Sequence, residues 1–183
     1  MFLVVALVVI VSPGPDFALT VRNSLRDGGL ATALGVVTGQ LVWALATAAG
    51  IAALLVASHP AFVALRIAGA AYLIWLGLTA LFHRGGRHEL TPRRGSPYRQ
   101  GLLSNLGNPK MPVFFTSLLP QFGASFAALA VHGVVFAALT LLWLSLVART
   151  GAALRVPAVR RALDLVTGVA LVAFGFRLGT EHR

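Results

Sequence analysis

With 57% hydrophobic residues, 11% charged residues and a mean hydropathy of +0.84 over 183 residues, the chain lies far from the roughly 25% charged content of soluble domains. The absence of cysteine excludes disulfides, thiolate metal sites and cysteine redox chemistry. The net charge of +10 does not mark a nucleic-acid binder, because the bases fall in short clusters between apolar runs, the pattern of membrane topology.

At about 20 residues per span, the length accommodates five to seven membrane helices. The first apolar run, Met1 to Val11, has neither a positively charged start nor a small-residue cleavage pattern, so its removal as a signal peptide is not expected. It is short for a span and reaches bilayer length only if the helix resumes through Phe17, Ala18, Leu19 and Val21, so the chain reads as starting several residues late. Between the two parts lies Ser12-Pro13-Gly14-Pro15-Asp16. Each proline removes an amide donor and clashes with the preceding turn. In hydrocarbon such a break survives only where neighbouring helices or a water-lined cavity satisfy the freed backbone groups. An ionisable residue at that depth marks a candidate pathway. The plainer alternative is a helix end, with Pro15 and Asp16 in ordinary positions at the start of the next helix.

From Gly28 to Leu65 the chain runs 38 residues without a formal charge. One helix of that length, at about 1.5 Å per residue, would nearly double the hydrocarbon thickness, so the run must turn, and Ser58-His59-Pro60 is the place. This predicts a second helix at roughly 30–57 and a third at roughly 62–82. Gly35 and Gly39, four apart with Ala31 one turn earlier, form a small-residue stripe for close helix packing. Arg66 can snorkel to the interface.

Residues 83–98 form a polar segment with Arg84, Arg87, Arg93 and Arg94, read as a flexible basic loop; His83, His88 and Glu89 there lack zinc-like spacing. A second uncharged run of 38 residues, Met111 to Ala148, must also turn, at Gln121-Phe122-Gly123-Ala124-Ser125. The fourth helix is therefore about Leu102 to Phe122, interrupted by Asn108-Pro109-Lys110-Met111-Pro112, and the fifth about Phe126 to Ala148. After Arg149, Arg155, Arg160 and Arg161, a sixth span covers about Ala162 to Leu178.

The fold class expected is thus an all-α polytopic membrane protein: a single transmembrane domain, 1–183, of six helices in two half-repeats, about 1–82 and 99–183. Each half opens with a proline-broken helix, helices one and four. Because three is odd, the halves enter the membrane from opposite sides, the inverted-repeat pattern of secondary transporters. With both termini outside, twelve bases fall on the cytoplasmic side against three, with the basic loop 83–98 inside.

Several features together resemble the lysine-exporter and homoserine/threonine-efflux family (LysE/RhtB). They are Ser12-Pro13-Gly14-Pro15-Asp16, Gly69-Ala70-Ala71-Tyr72-Leu73 with Leu76-Gly77, and Asn105-Leu106-Gly107-Asn108-Pro109-Lys110 followed by Phe114-Phe115 and Leu119-Pro120-Gln121-Phe122. The likeness runs nearly end to end. It implies a bacterial inner-membrane exporter of amino acids or related metabolites driven by the proton gradient, with no cofactor and no enzymatic activity. Its partners are a small-molecule substrate, the proton and the lipid bilayer; a homo-oligomer is left open, and nucleic acid is not a partner.

The residues expected to bind substrate or couple it to protons are Pro13, Gly14, Pro15 and Asp16 of the first break and Asn105, Asn108, Pro109, Lys110 and Gln121 of the fourth helix. A charged aspartate at the bilayer centre costs about 2.5–3.5 kcal/mol, relieved by protonation or by a cationic partner. In this reading Asp16 and Lys110 face one another. Asp16 takes a substrate ammonium, while Lys110 and amides after Pro109 or Pro112 take its carboxylate. Without substrate the two pair, directly or through water. Lys110 as an interfacial anchor at the end of the basic cluster is the alternative. A non-transporting scaffold or helper subunit fits the composition but leaves both breaks unexplained. An intramembrane enzyme lacks a catalytic set, with no His-Glu-x-x-His and no Gly-x-Ser-x-Gly.

Overall fold

The computed structural model describes residues 2–57, 59–82, 95–123, 125–150 and 157–180, and every regular element among them is helical. Of the basic segment, residues 83–94 lie outside the described part.

The first apolar segment is two helices, α1 (Phe2–Val11) and α2 (Pro15–Ser24), bent by 56°. Helix α1 closes with the Ser12 amide on the Val8 carbonyl at 3.1 Å. The next amide would belong to Pro13, which has none, so the Val9 carbonyl loses its i+4 partner and the chain swings out through an extended Gly14. Pro15 then opens α2 at its first position, where a missing amide costs nothing.

Helix α3 (Gly29–Ala57) and helix α4 (His59–Phe82) are the second and third segments. Gly29–Gly50 alone is 22 residues with a mean hydropathy of 1.6, about 33 Å at 1.5 Å per residue, matching the hydrocarbon core. Helix α5 (Pro97–Leu106) starts five residues before the expected Leu102. Ser96 accepts from the Arg99 amide at 3.4 Å and Pro97 takes the first helical position, a start signal that reaches into the polar stretch. The expected loop therefore stops at Ser96, and Pro97 and Tyr98 are helical. The second break is at Gly107–Pro109, narrower than 108–112. Pro112 sits within the first turn of the short α6 (Lys110–Val113), where proline is tolerated. The segment continues as a π-helical turn, Phe114–Leu118, and a 3-10 turn, Leu119–Phe122. Helix α7 (Phe126–Thr150) follows. Helix α8 (Pro157–Thr180) again begins five residues ahead of the expected Ala162, drawing Arg160 and Arg161 into the helix.

Helix α3 is central, with α5 along one side and α7 along the other, while α4 pairs with α8. Contact between α3 and α5 is close because side chains are missing there. A Cβ on Gly35 would collide with the Tyr98 carbonyl, one on Gly101 with the Thr32 carbonyl, and one on Gly39 would lie 2.7 Å from Asn105 Oδ1. Beside the first break, Phe114 stacks on Phe136 at 4.1 Å between ring centroids, with Phe115 edge-on to both. The outward-facing surface is apolar, with Leu142, Val166, Val169 and Phe176 each more than half exposed. Such a surface fits hydrocarbon rather than water. Gly29–Gly50 and Phe126–Thr150 are each long and apolar enough to cross a membrane, and the bent α1–α2 pair makes a third when taken as one span.

Candidate functional site

Asp16 stands in the first turn of α2, an electrostatically favourable place for a carboxylate, yet its side chain is satisfied from the other broken segment. Ser104 Oγ donates to Oδ1 at 2.6 Å, and Asn105 Nδ2 and Asn108 Nδ2 donate to Oδ2 at 2.9 and 3.1 Å. Ser104, Asn105 and Asn108 reach one point because positions i, i+1 and i+4 of a helix share a side, with Asn108 just past its end. Three neutral donors thus hold a carboxylate that is 8% exposed. Ionised acceptors make stronger hydrogen bonds than neutral ones, which offsets part of the desolvation.

Lys110 comes to the same place from the start of α6, and its ammonium donates to the carbonyls of Val9 at 2.8 Å and Ser12 at 3.3 Å. These are carbonyls at the end of α1. The one on Val9 is orphaned by Pro13, and the one on Ser12 by the swing of the chain away from Asp16 N. Lys110 therefore supplies the donors that the helix break removed, at the end where the helix dipole favours a cation. Gly14 lies beside it, at a place where a Cβ would make ordinary van der Waals contact with Nζ, at 3.8 Å. Asn108 links the two ions, since its Nδ2 is on Asp16 while its Oδ1 accepts from the Lys110 amide at 3.1 Å.

Both ions line one cavity with Ser12, Gln40, Phe136 and Thr140. Its volume, about 20 Å³, suits a single water and is too small for an amino acid. No hydrogen bond joins Asp16 to Lys110 directly: Asp16 is held by three neutral donors and Lys110 by two carbonyls, while both face the one cavity, which has room for a water between them.

Of the sequence-predicted residues, Gly14, Asp16, Asn108 and Lys110 line the cavity, and Asn105 holds Asp16 from behind. Pro13 and Pro15 shape the break, and Pro109 is exposed. Gln121 is not brought to this site; its amide donates to Ser117 O at 3.3 Å. Gly35 and Gly39 lie on the α3–α5 contact. Sequence reasoning missed Ser104 and Gln40. Ser104 carried a signal, its place on the same helical side as Asn105 and Asn108; Gln40 had none beyond being an amide in an otherwise apolar stretch. A second polar cluster joins the same helices further along. Arg22 Nη2 donates to Gln100 Oε1 at 2.9 Å, and Asn23 Nδ2 to Thr32 Oγ1 at 2.9 Å and to Gln100 Oε1 at 3.2 Å.

Residues 7–182 match the model of the LysE type translocator family. The chain belongs to this family. It is 34% identical, over 94% of its length and 90% of the relative's, to an uncharacterized membrane protein of Pseudomonas aeruginosa. It is 27% identical to the threonine efflux protein of Salmonella typhi, over 95% of this chain and 93% of that one. Over 66% of its length and 62% of the relative's, it is 34% identical to the homoserine/homoserine lactone efflux protein of Salmonella typhimurium. No solved structure matches. LysE members are integral membrane transporters rather than enzymes, which places this translocator in a membrane and gives it a small-molecule substrate.

Proposed function

We propose that this translocator exports a small zwitterionic amino acid, or a close derivative, across the bacterial cytoplasmic membrane by antiport with protons. The observation that carries the reading is the small cavity at two helix breaks, lined by one buried carboxylate and one ammonium, Asp16 and Lys110, each solvated by neutral groups. A zwitterion leaving water needs an anion for its ammonium and a cation for its carboxylate, and the cavity offers one of each. Asp16 keeps acceptor capacity beyond its three hydrogen bonds, and Lys110 has a third N–H beyond the two on Val9 and Ser12. A carboxylate that takes either a proton or a substrate ammonium, never both, couples the two movements. From the cytoplasm Asp16 binds the ammonium; on the far side a proton displaces it and returns.

Six spans in two inverted halves accommodate this cycle, with α1–α2 and α5–α6 as the broken spans and both termini outside. Support comes from the pairing of equivalent helices, α3 with α7 and α4 with α8, and from the meeting of the two breaks at one site. The efflux relatives make threonine and homoserine the first substrates to try.

Counterflow in proteoliposomes, with a panel of the standard amino acids plus homoserine, tests the reading. Exchange of at least one of them, accelerated by a pH gradient in the export direction, is expected. Absence of counterflow across the panel refutes amino-acid export, and exchange indifferent to the gradient refutes antiport.

A further inference from the structure

Gln40 lies on α3, opposite the two breaks, and is 2% exposed. Its side chain lines the same cavity as Asp16 and Lys110. Its Oε1 has no hydrogen-bond partner, although Gly39 beside it is packed against Asn105, the residue that holds Asp16. A buried amide oxygen left without a donor destabilises the protein that carries it. Hydrocarbon supplies no donor either, so the group is either solvated by a water in the cavity or kept for a ligand that brings one.

The donors and acceptors already spent in the site narrow what that ligand is. Ser104 spends its O–H and Asn105 and Asn108 one N–H each on Asp16, and Lys110 spends two of its three N–H groups on carbonyls. Among the acceptors lining the cavity are the Asp16 carboxylate, which already holds three donors, the Thr140 hydroxyl, which donates to Phe136 O at 2.9 Å, and Gln40 Oε1, which has no partner. A primary ammonium carries three N–H groups at tetrahedral angles, and one acceptor cannot take more than one of them well. The geometry points to Gln40 as the specificity-determining residue of the site, its Oε1 accepting a second N–H of the substrate ammonium while Asp16 takes the first. The class it selects is an amine that keeps at least two N–H groups when protonated. An N,N-dimethyl amino acid keeps only one and adds bulk against Gln40. The corresponding 2-hydroxy acid offers neither the charge nor the second donor.

This inference rests on the export reading above. Its test uses Gln40→Leu, which has nearly the same volume and no polar atom, and Gln40→Glu, which keeps the acceptor. Counterflow first identifies the standard amino acid that the wild type takes best. That amino acid and its N,N-dimethyl derivative are then compared. In the wild type the primary amine is favoured by at least about 10-fold, the ratio that one unpaired buried acceptor is worth. Gln40→Leu lowers affinity for the primary amine by about 10-fold or more and leaves that for the N,N-dimethyl derivative within about 2-fold. Gln40→Glu restores preference for the primary amine. Equal losses for both ligands mean that the amide acts only structurally and overturn the proposal. Wild-type protein that takes no amino acid overturns the export reading instead, a failure separate from this one.

Discussion

Asp16 is held by donors alone, so two substitutions there separate its charge from its shape. In Asp16→Asn the new NH₂ group must replace one oxygen. Placed at Oδ1 it meets Ser104 Oγ, 2.6 Å away, and that hydroxyl can rotate to accept instead of donate. The remaining oxygen still serves Asn105 and Asn108. All three contacts survive as neutral hydrogen bonds, at a loss of about 1 kcal/mol each relative to charged ones, partly recovered because no ion is buried. Stability should therefore change by less than about 2 kcal/mol. Asp16→Leu leaves a hydroxyl and two amide groups orphaned beside the cavity, at about 1–3 kcal/mol each, or roughly 3–9 kcal/mol together, enough to abolish folding of a marginally stable chain. Detergent-solubilised protein followed by thermal unfolding checks the pair: a small shift for the asparagine variant, loss of folded protein for the leucine variant. In proteoliposomes, folded Asp16→Asn should show no gradient-driven export, since its side chain neither takes up a proton nor attracts an ammonium. An asparagine variant that exports in proportion to the pH gradient would refute the coupling role. A leucine variant as stable as the parent would refute the hydrogen-bond geometry itself.

Lys110→Gln should lower transport affinity, and its loss should be strongly non-additive with that of Asp16→Asn in a double-mutant cycle, because both groups act on one zwitterion; additive losses would make Lys110 an anchor. Lys110→Met should destabilise the protein by about 1–3 kcal/mol by stripping the donor from the Val9 and Ser12 carbonyls, read as a lower melting temperature. Gly35→Ala should prevent close approach of α3 and α5, since its Cβ meets backbone of Tyr98 that cannot move aside, whereas Gly50→Ala, with nothing within 4 Å, should stabilise α3 by up to about 1 kcal/mol; equal melting temperatures for the two would contradict the packing. Reporter tags after residue 183 and within 84–98 should report opposite compartments, and finding them on one side would sink the six-span topology.

Much of this protein is determined by sequence alone, for physical reasons that are local. Helical segments follow from apolar run length against bilayer thickness, and both breaks follow from prolines whose missing amides no flanking residue replaces. Asp16 and Lys110 stood out because an ion in an apolar run is expensive. The boundaries that shifted, at Pro97 and Pro157, did so because proline is as good a helix start as a helix stop, and hydropathy does not distinguish the two. Tertiary structure alone decided the partners. Ser104 and Gln40 are neutral polar residues that cost little in a helix, so nothing in their neighbourhood along the chain separates a ligand group from packing. Only the crossing of α3 and α5 at Gly35, Gly39 and Gly101 brings Gln40 within the same cavity as a carboxylate on α2. The same assembly set Lys110 on the carbonyls that Pro13 had orphaned instead of on Asp16. Sequence reveals which backbone groups lose their partners, but which side chain satisfies them depends on how helices far apart in the chain are placed side by side.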